Sequence, residues 1–228
     1  MIPLKDDNPV RSTPIVTIAL VVVNVIVFLY EFQLGLSNGA GLDQFLNQYS
    51  FDFTAFTQSF SRGGLTLAAV VPLFTHMFLH ANWLHIAGNM LYLWIFGNNV
   101  EDRLGPVRFI LFYLACGIAA AVGQGIVAPE PMIGASGAIA GVLAAYLVMF
   151  PGARVSTLIF LGLFITILQL PALLVIGFWI VTQLVSGLAE LRMAGHAAGG
   201  VAYYAHIFGF IAGIPLLLLL RAGVRRSY

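Results

Sequence analysis

Six apolar runs, each close to the length of a membrane-crossing helix, dominate this chain: Pro14–Tyr30, His85–Val100, Val107–Ile126, Gly134–Phe150, Pro171–Leu188 and Val201–Leu220. A bilayer's hydrocarbon core is about 30 Å thick, so a helix that crosses it needs about 20 residues. No water reaches backbone groups there, and a helix satisfies its own. Only 8% of the 228 residues are charged and 60% are hydrophobic, with mean hydropathy +0.96. Ordinary soluble domains carry about 25% charged residues. The chain cannot clothe a soluble surface. It predicts an all-α polytopic membrane protein with six transmembrane helices in one bundle, over residues 14–220. Residues 1–13 form a segment before the bundle, and 221–228 a basic tail. A net charge of +1 argues against nucleic acid as a partner and leaves the lipid bilayer as the surroundings.

The runs have uneven edges. The second helix is expected to begin before His85, near Val71, and the fourth is short because Pro151-Gly152 stops it. Val155–Leu170 is apolar but ends at Pro171, whose predecessor avoids the helical region. Reading it as a seventh span would put the termini on opposite sides, so it reads as a re-entrant or interfacial piece leading into the fifth helix. Phe51–Gly64, with four phenylalanines, reads as a structured loop at the interface, where aromatic residues gather. Pro14–Tyr30 has no small-residue cleavage site behind it, so it is not a cleavable signal. The single cysteine, Cys116, lies in an apolar run and packs there.

Basic residues orient the bundle. With six spans and the N-terminus inside, the inner segments hold Lys5, Arg11, Arg103, Arg108, Arg154, Arg221, Arg225 and Arg226, and the outer loops hold Arg62 and Arg192. Eight against two puts both termini in the cytoplasm. The second, fourth and sixth helices then run from outside to inside, and their N-terminal ends share the outer leaflet.

That arrangement gathers chemistry. His85 and Asn89 lie early in the second helix, Ser136 opens the fourth, and His206 lies early in the sixth. Chance would scatter four such residues over different depths. Polar groups inside a membrane are costly and mark functional sites. Each also has a plainer explanation. A serine between glycines is more often a small packing residue, by roughly three to one, and small residues spaced by four let helices touch closely. Gly134, Gly137, Gly141, Gly209 and Gly213 are expected to pack helices around this point. Close contact between the fourth and sixth helices would itself bring Ser136 to His206. His85 and Asn89 share a helix face and could simply make interhelical hydrogen bonds, as could Asn24, Gln169, Thr182, Gln183 and Ser186.

These residue types suit acyl transfer. A serine hydroxyl is a poor nucleophile until a base within hydrogen-bond reach takes its proton, and His206 is the candidate. The same ring then protonates the leaving amine. The Ser136 N–H, the Asn89 amide and the His85 ring are candidates for holding the oxyanion. The nine acidic residues sit in termini, loops or helix ends, which favours a Ser-His dyad over a triad and leaves helix packing, a backbone carbonyl or water to orient His206. Metal binding is the rival chemistry, since His76 and His80 have the i, i+4 spacing of a zinc pair. No His-Glu-x-x-His motif accompanies them, so no metal and no cofactor is expected. His76 and His80 are expected to shape the end of the second helix by hydrogen bonds.

Taken together, Gly134-Ala-Ser136-Gly137, His85-Ile-Ala-Gly-Asn89 and Ala205-His206-Ile-Phe-Gly209-Phe-Ile-Ala-Gly213 resemble the rhomboid intramembrane serine proteases. The resemblance extends to Met1–Pro9 and to Gly97–Gly105, and covers nearly the whole chain. It implies a six-helix core with a water-filled cavity open to the outside. It also implies Ser136 as nucleophile, His206 as base, and His85 and Asn89 at the oxyanion hole. The fifth helix, with the loop Gly195–Gly200, would form a lateral gate for transmembrane protein substrates. Two departures stand out. The Trp-Arg pair that many members carry in the first loop has no counterpart in Gly63–Val71, and a tyrosine that stacks on the histidine in some members is here Ala140.

The function expected is cleavage of membrane-anchored proteins within or beside their transmembrane segments. A non-catalytic rhomboid-like client-binding protein is the alternative, though it would lack the serine or the histidine. A transporter would hold its ionisable groups near the midplane and across both halves. With no organelle-targeting extension, a prokaryotic plasma membrane is the expected location.

Overall fold

The computed structural model describes residues 1–37, 39–61, 64, 66–162, 164–192 and 201–221. The chain starts with β1 (Ile2–Asp6) and the long helix α1 (Ile15–Leu36). Four short helices follow: α2 (Ala40–Tyr49), α3 (Phe53–Ser61), α4 (Leu67–Val70) and α5 (Pro72–Thr75). Next come α6 (Trp83–Tyr92) and α7 (Asn98–Leu104), joined by a π-helical turn over Leu93–Gly97. The remainder is α8 (Pro106–Val127), α9 (Ser136–Met149), β2 (Arg154–Leu161), β3 (Phe164–Pro171), α10 (Ala172–Arg192) and α11 (Tyr203–Arg221).

Helices α1, α8, α10 and α11 are long and apolar enough to cross a membrane, and Leu67–Phe78 with Trp83–Leu104 makes a further pair bent by 81°. The mostly helical, multi-pass architecture follows from these lengths. The second run does begin upstream of His85, but as a broken helix rather than a straight one. The first run extends past Tyr30 to Leu36 and so takes Glu31 into α1. Glu31 ends the apolar pattern in the sequence without ending the helix. Its buried carboxylate accepts the backbone N–H of His80 at 3.2 Å.

The fourth run, α9, has 14 residues and so is about 21 Å long. It is the central helix, with every residue from Gly137 to Tyr146 buried. A helix apolar all round belongs in an interior, and here glycine and alanine let its neighbours approach on several sides. A Cβ at Gly213 would lie 2.6 Å from the carbonyl oxygen of Gly141, and one at Gly209 would collide with the carbonyl of Gly137. Gly137 lies against Ala120 and Gly141 against Cys116, both on α8. The α9–α11 contacts rise together in residue number, so the two helices are parallel and start at the same end.

The opposite end holds an element that hydropathy does not reveal. Residues 155–170, expected as a re-entrant or interfacial piece leading into the fifth helix, form most of a β-hairpin, β2 with β3, whose β2 pairs antiparallel with β1. The stretch is rich in Val, Ile, Thr and Phe, which suit a pleated surface, and Gly162 turns it at φ +63°. Carboxylates tie this end together. Glu101 accepts the N–H groups of Val16 and Thr17 and the Thr17 hydroxyl at 2.7–2.9 Å, serving the otherwise unpaired first turn of α1. Asp102 accepts the Ser12 N–H at 2.8 Å. Asp6 accepts from Tyr146 Oη at 2.6 Å and from Asn99 Nδ2 at 2.9 Å. Burial pushes the Asp6 carboxyl above its ordinary pKa of 3.8, against the pull of the Tyr146 hydrogen bond.

Candidate active site

Ser136 begins α9, half-buried, where a helix leaves N–H groups without intrahelical partners. The loop before it is held by two contacts. The Gly134 N–H donates to the His76 carbonyl at 2.8 Å, and Gly134 has φ +123°, where a Cβ would fall 2.8 Å from His85 Nε2. Gly134 is therefore not a helix-packing residue, as its neighbours are. It is the one residue type that allows this turn and leaves room for the imidazole. Gly137, Gly141, Gly209 and Gly213 do pack helices against one another, as the spacing predicts.

His206 sits in the first turn of α11, buried. Its neighbour Ala205 donates its N–H to Gln124 Oε1 on α8 at 3.0 Å, which anchors the start of the helix. His206 Nε2 lies 2.7 Å from Ser136 Oγ, and Nδ1 lies 2.7 Å from Gln183 Oε1 on α10. The Trp179 ring, one turn earlier on α10, lies against the imidazole with centroids 5.6 Å apart and planes tilted by 38°. Gln183 does form the interhelical hydrogen bond expected of it, but its partner is the histidine at the centre of the site. The i, i+4 spacing of Trp179 and Gln183 was the available signal. An aromatic ring thus reaches His206 from α10, where Ala140 on α9 offers none.

On the other side, Asn82 caps α6 by accepting the His85 N–H at 2.9 Å. His85 Nδ1 accepts the Ala81 N–H at 3.4 Å, so a neutral ring carries its hydrogen on Nε2, the atom facing Gly134. Asn89 is buried, and its side-chain Nδ2 has no hydrogen-bond partner among the described residues. A buried amide donor left unpaired costs about 1–3 kcal/mol, and such groups call for an explanation.

His76 donates Nδ1–H to the Pro72 carbonyl at 2.9 Å, within the bend, and its own carbonyl holds Gly134. The His76 backbone thus supports the loop before Ser136, while its side chain ties down its own bend. Neither ring nitrogen of His80 has a hydrogen-bond partner among the described residues. Among the described residues no group of three or more His, Cys, Asp or Glu could hold a metal ion. The loop Gly195–Gly200 lies outside the described residues.

Comparison with known proteins bears on this arrangement. The family model described as the Rhomboid domain matches residues 68–223, which takes in Ser136, His206, His85 and Asn89. Rhomboid-like protein 11, chloroplastic, of Arabidopsis thaliana is 30% identical over 151 residues, 64% of this chain and 51% of that protein. The rhomboid protease GluP of Bacillus subtilis (strain 168) is 45% identical over 75 residues, 33% of this chain and 15% of that protein. The human presenilin-associated rhomboid-like protein, mitochondrial, is 36% identical over 98 residues, 41% of this chain and 26% of that protein. The matched regions span about half or less of these relatives.

Proposed function

The chain belongs to the rhomboid family, and on that premise we propose that it is an intramembrane serine endopeptidase working by a dyad of Ser136 and His206. The observation that carries this reading is the 2.7 Å contact between Ser136 Oγ and His206 Nε2. It is made between the first turns of two parallel helices packed glycine on glycine, so the backbone itself fixes the distance. In the proposed reaction Oγ attacks the scissile carbonyl carbon while Nε2 accepts the hydroxyl proton. The carbonyl π-electrons move onto oxygen, and the Ser136 N–H, Asn89 Nδ2 and His85 Nε2–H are the proposed donors to that charge. His206 returns the proton to the leaving amine, and water then releases the acyl group by the same steps.

The substrates of this reading are membrane-anchored proteins cut within or beside their transmembrane segments. A helix's carbonyls are hydrogen-bonded and shielded, so glycine, proline or small polar residues near the cut would ease local unwinding. The bias of basic residues, eight against two when counted for six spans, supports cytoplasmic termini and a site towards the outer face; a prokaryotic plasma membrane is the location proposed with it. The test is cleavage of a transmembrane substrate by purified parent, Ser136→Ala and His206→Ala proteins, with labelling by a serine-reactive probe. Both variants should be inactive while melting like the parent, and Ser136→Ala should lose the label. Cleavage at the parent rate by Ser136→Ala would overturn the assignment.

A further inference from the structure

We propose that Gln183 is a positioning residue for His206, setting its tautomer from α10, so that the site is a serine–histidine pair held by a neutral amide. This rests on the dyad reading above. Three observations carry it. Gln183 Oε1 lies 2.7 Å from His206 Nδ1. The amide's other end is engaged along its own helix, with Nε2 donating to Thr182 Oγ1 at 3.2 Å and to the Trp179 carbonyl at 3.4 Å. Thr182 Oγ1 in turn donates to that carbonyl at 2.6 Å, which leaves its lone pairs free to accept. Those contacts fix which end of the amide faces the ring. An oxygen there accepts and cannot donate, so Nδ1 must carry the hydrogen and Nε2 must present its lone pair to the Ser136 hydroxyl. With the hydrogen on Nε2 instead, two acceptors, Nδ1 and Gln183 Oε1, would face each other, and Nε2 would have no lone pair with which to deprotonate the serine.

A carboxylate at this place would orient the ring and also stabilise the imidazolium, as in a triad. In this half-buried apolar setting a carboxylate would need several compensating hydrogen bonds. The amide supplies orientation without that desolvation. Trp179, four residues before Gln183 and on the same face of α10, closes the ring in from its side. Both groups that hold His206 thus ride on one helix. In α10 22% of the spanning window is buried, against 50% in α8, so it is the least enclosed of the four long spans. Displacing α10 would break the Gln183 bond and release the tautomer, which makes the seating of α10 a condition of chemistry.

The experiment compares the parent with Gln183→Leu and Gln183→Glu in full-length protein, measuring kcat and KM on a short peptide substrate, with melting temperature alongside. Gln183→Leu removes the acceptor at similar volume and should lower kcat by about 10- to 100-fold with little change in KM. Gln183→Glu restores an acceptor oxygen and should recover most of that loss. Full kcat in Gln183→Leu, with Ser136→Ala inactive, would overturn the positioning role and leave the dyad standing. Equal impairment of the Leu and Glu variants, tracking a common fall in melting temperature, would reduce Gln183 to a packing residue and also overturn it. Activity surviving in Ser136→Ala would instead strike the dyad itself.

Discussion

Gly209 and Gly137 meet backbone to backbone: a Cβ added to Gly209 would collide with the Gly137 carbonyl, which belongs to the residue next to the proposed nucleophile. Helix propensity alone would favour Gly209→Ala by about 1 kcal/mol. The clash wins, because a carbonyl inside a helix cannot rotate away as a side-chain end can. Gly209→Ala is expected to destabilise by about 1–3 kcal/mol, as overpacked cores do, and to move His206 off Ser136. Gly177→Ala on α10, where nothing among the described residues beyond its own helix backbone and chain neighbours lies within 4 Å of the added methyl, should be neutral or slightly stabilising. Melting temperature and peptide cleavage of both variants check this, and equal melts would count against the packing argument.

Asn89→Ala should lower turnover by about 10²–10³, the usual loss for one oxyanion donor. Its Nδ2 has no hydrogen-bond partner among the described residues, so removal forfeits no bond to them. KM should change little, because the donor is engaged in the transition state rather than the ground state. Stopped kinetics with one peptide substrate separates kcat from KM. Unchanged kcat would return Asn89 to helix packing.

The meeting of Ser136 with His206 was legible in the sequence because each lies early in its own apolar run and the small residues at i, i+4, Gly137 with Gly141 and Gly209 with Gly213, let those two helices touch. Gly134 was grouped with them although its role is in the turn. The bend before His85 was visible only as an uncertain start, since breaks in a helix depend on what packs against them. The strands within residues 155–170 were not legible, for a different reason. Hydropathy is blind to whether an apolar stretch is helix or hairpin, and the register that makes it a sheet comes from β1, about 150 residues away in sequence. Gln183 was read as one polar residue among several on apolar helices. Only the packing of α10 on α11 decides that its partner is His206 rather than any other group.

Asp6 should make stability fall as pH rises. Its folded pKa is raised by burial, so the native protein holds the proton more tightly than the unfolded chain does. That contribution is fully present below the ordinary value of 3.8 and is lost as pH rises through the raised value. Asp6→Asn cannot ionise and keeps an oxygen for the Tyr146 hydroxyl and Asn99 amide. It is expected to melt no lower than the parent at neutral pH and to lose this part of the pH dependence. Melting temperatures of the two proteins from pH 4 upward test the sign, and parallel curves would refute it.

Glu101 and Asp102 should matter for folding and not for chemistry. Both serve the first turn of α1 and the segment before it, at the end of the bundle away from the start of α9. Losing a helix cap costs about 0.5–2 kcal/mol. Glu101→Ala should lie at the upper end, because the buried Thr17 hydroxyl and two N–H groups lose their acceptor together. Asp102→Ala should cost less, since its partners at Arg11 and Ser12 are exposed to water. Neither carboxylate touches His206, whose ring nitrogens are both engaged, one by Ser136 and one by Gln183. Single-turnover cleavage, corrected for the folded fraction, should therefore stay near the parent rate in both variants while melting temperature drops. A collapse in rate approaching that of His206→Ala, with the melt unchanged, would mean that a carboxylate acts on the histidine after all and that the dyad is wrongly drawn.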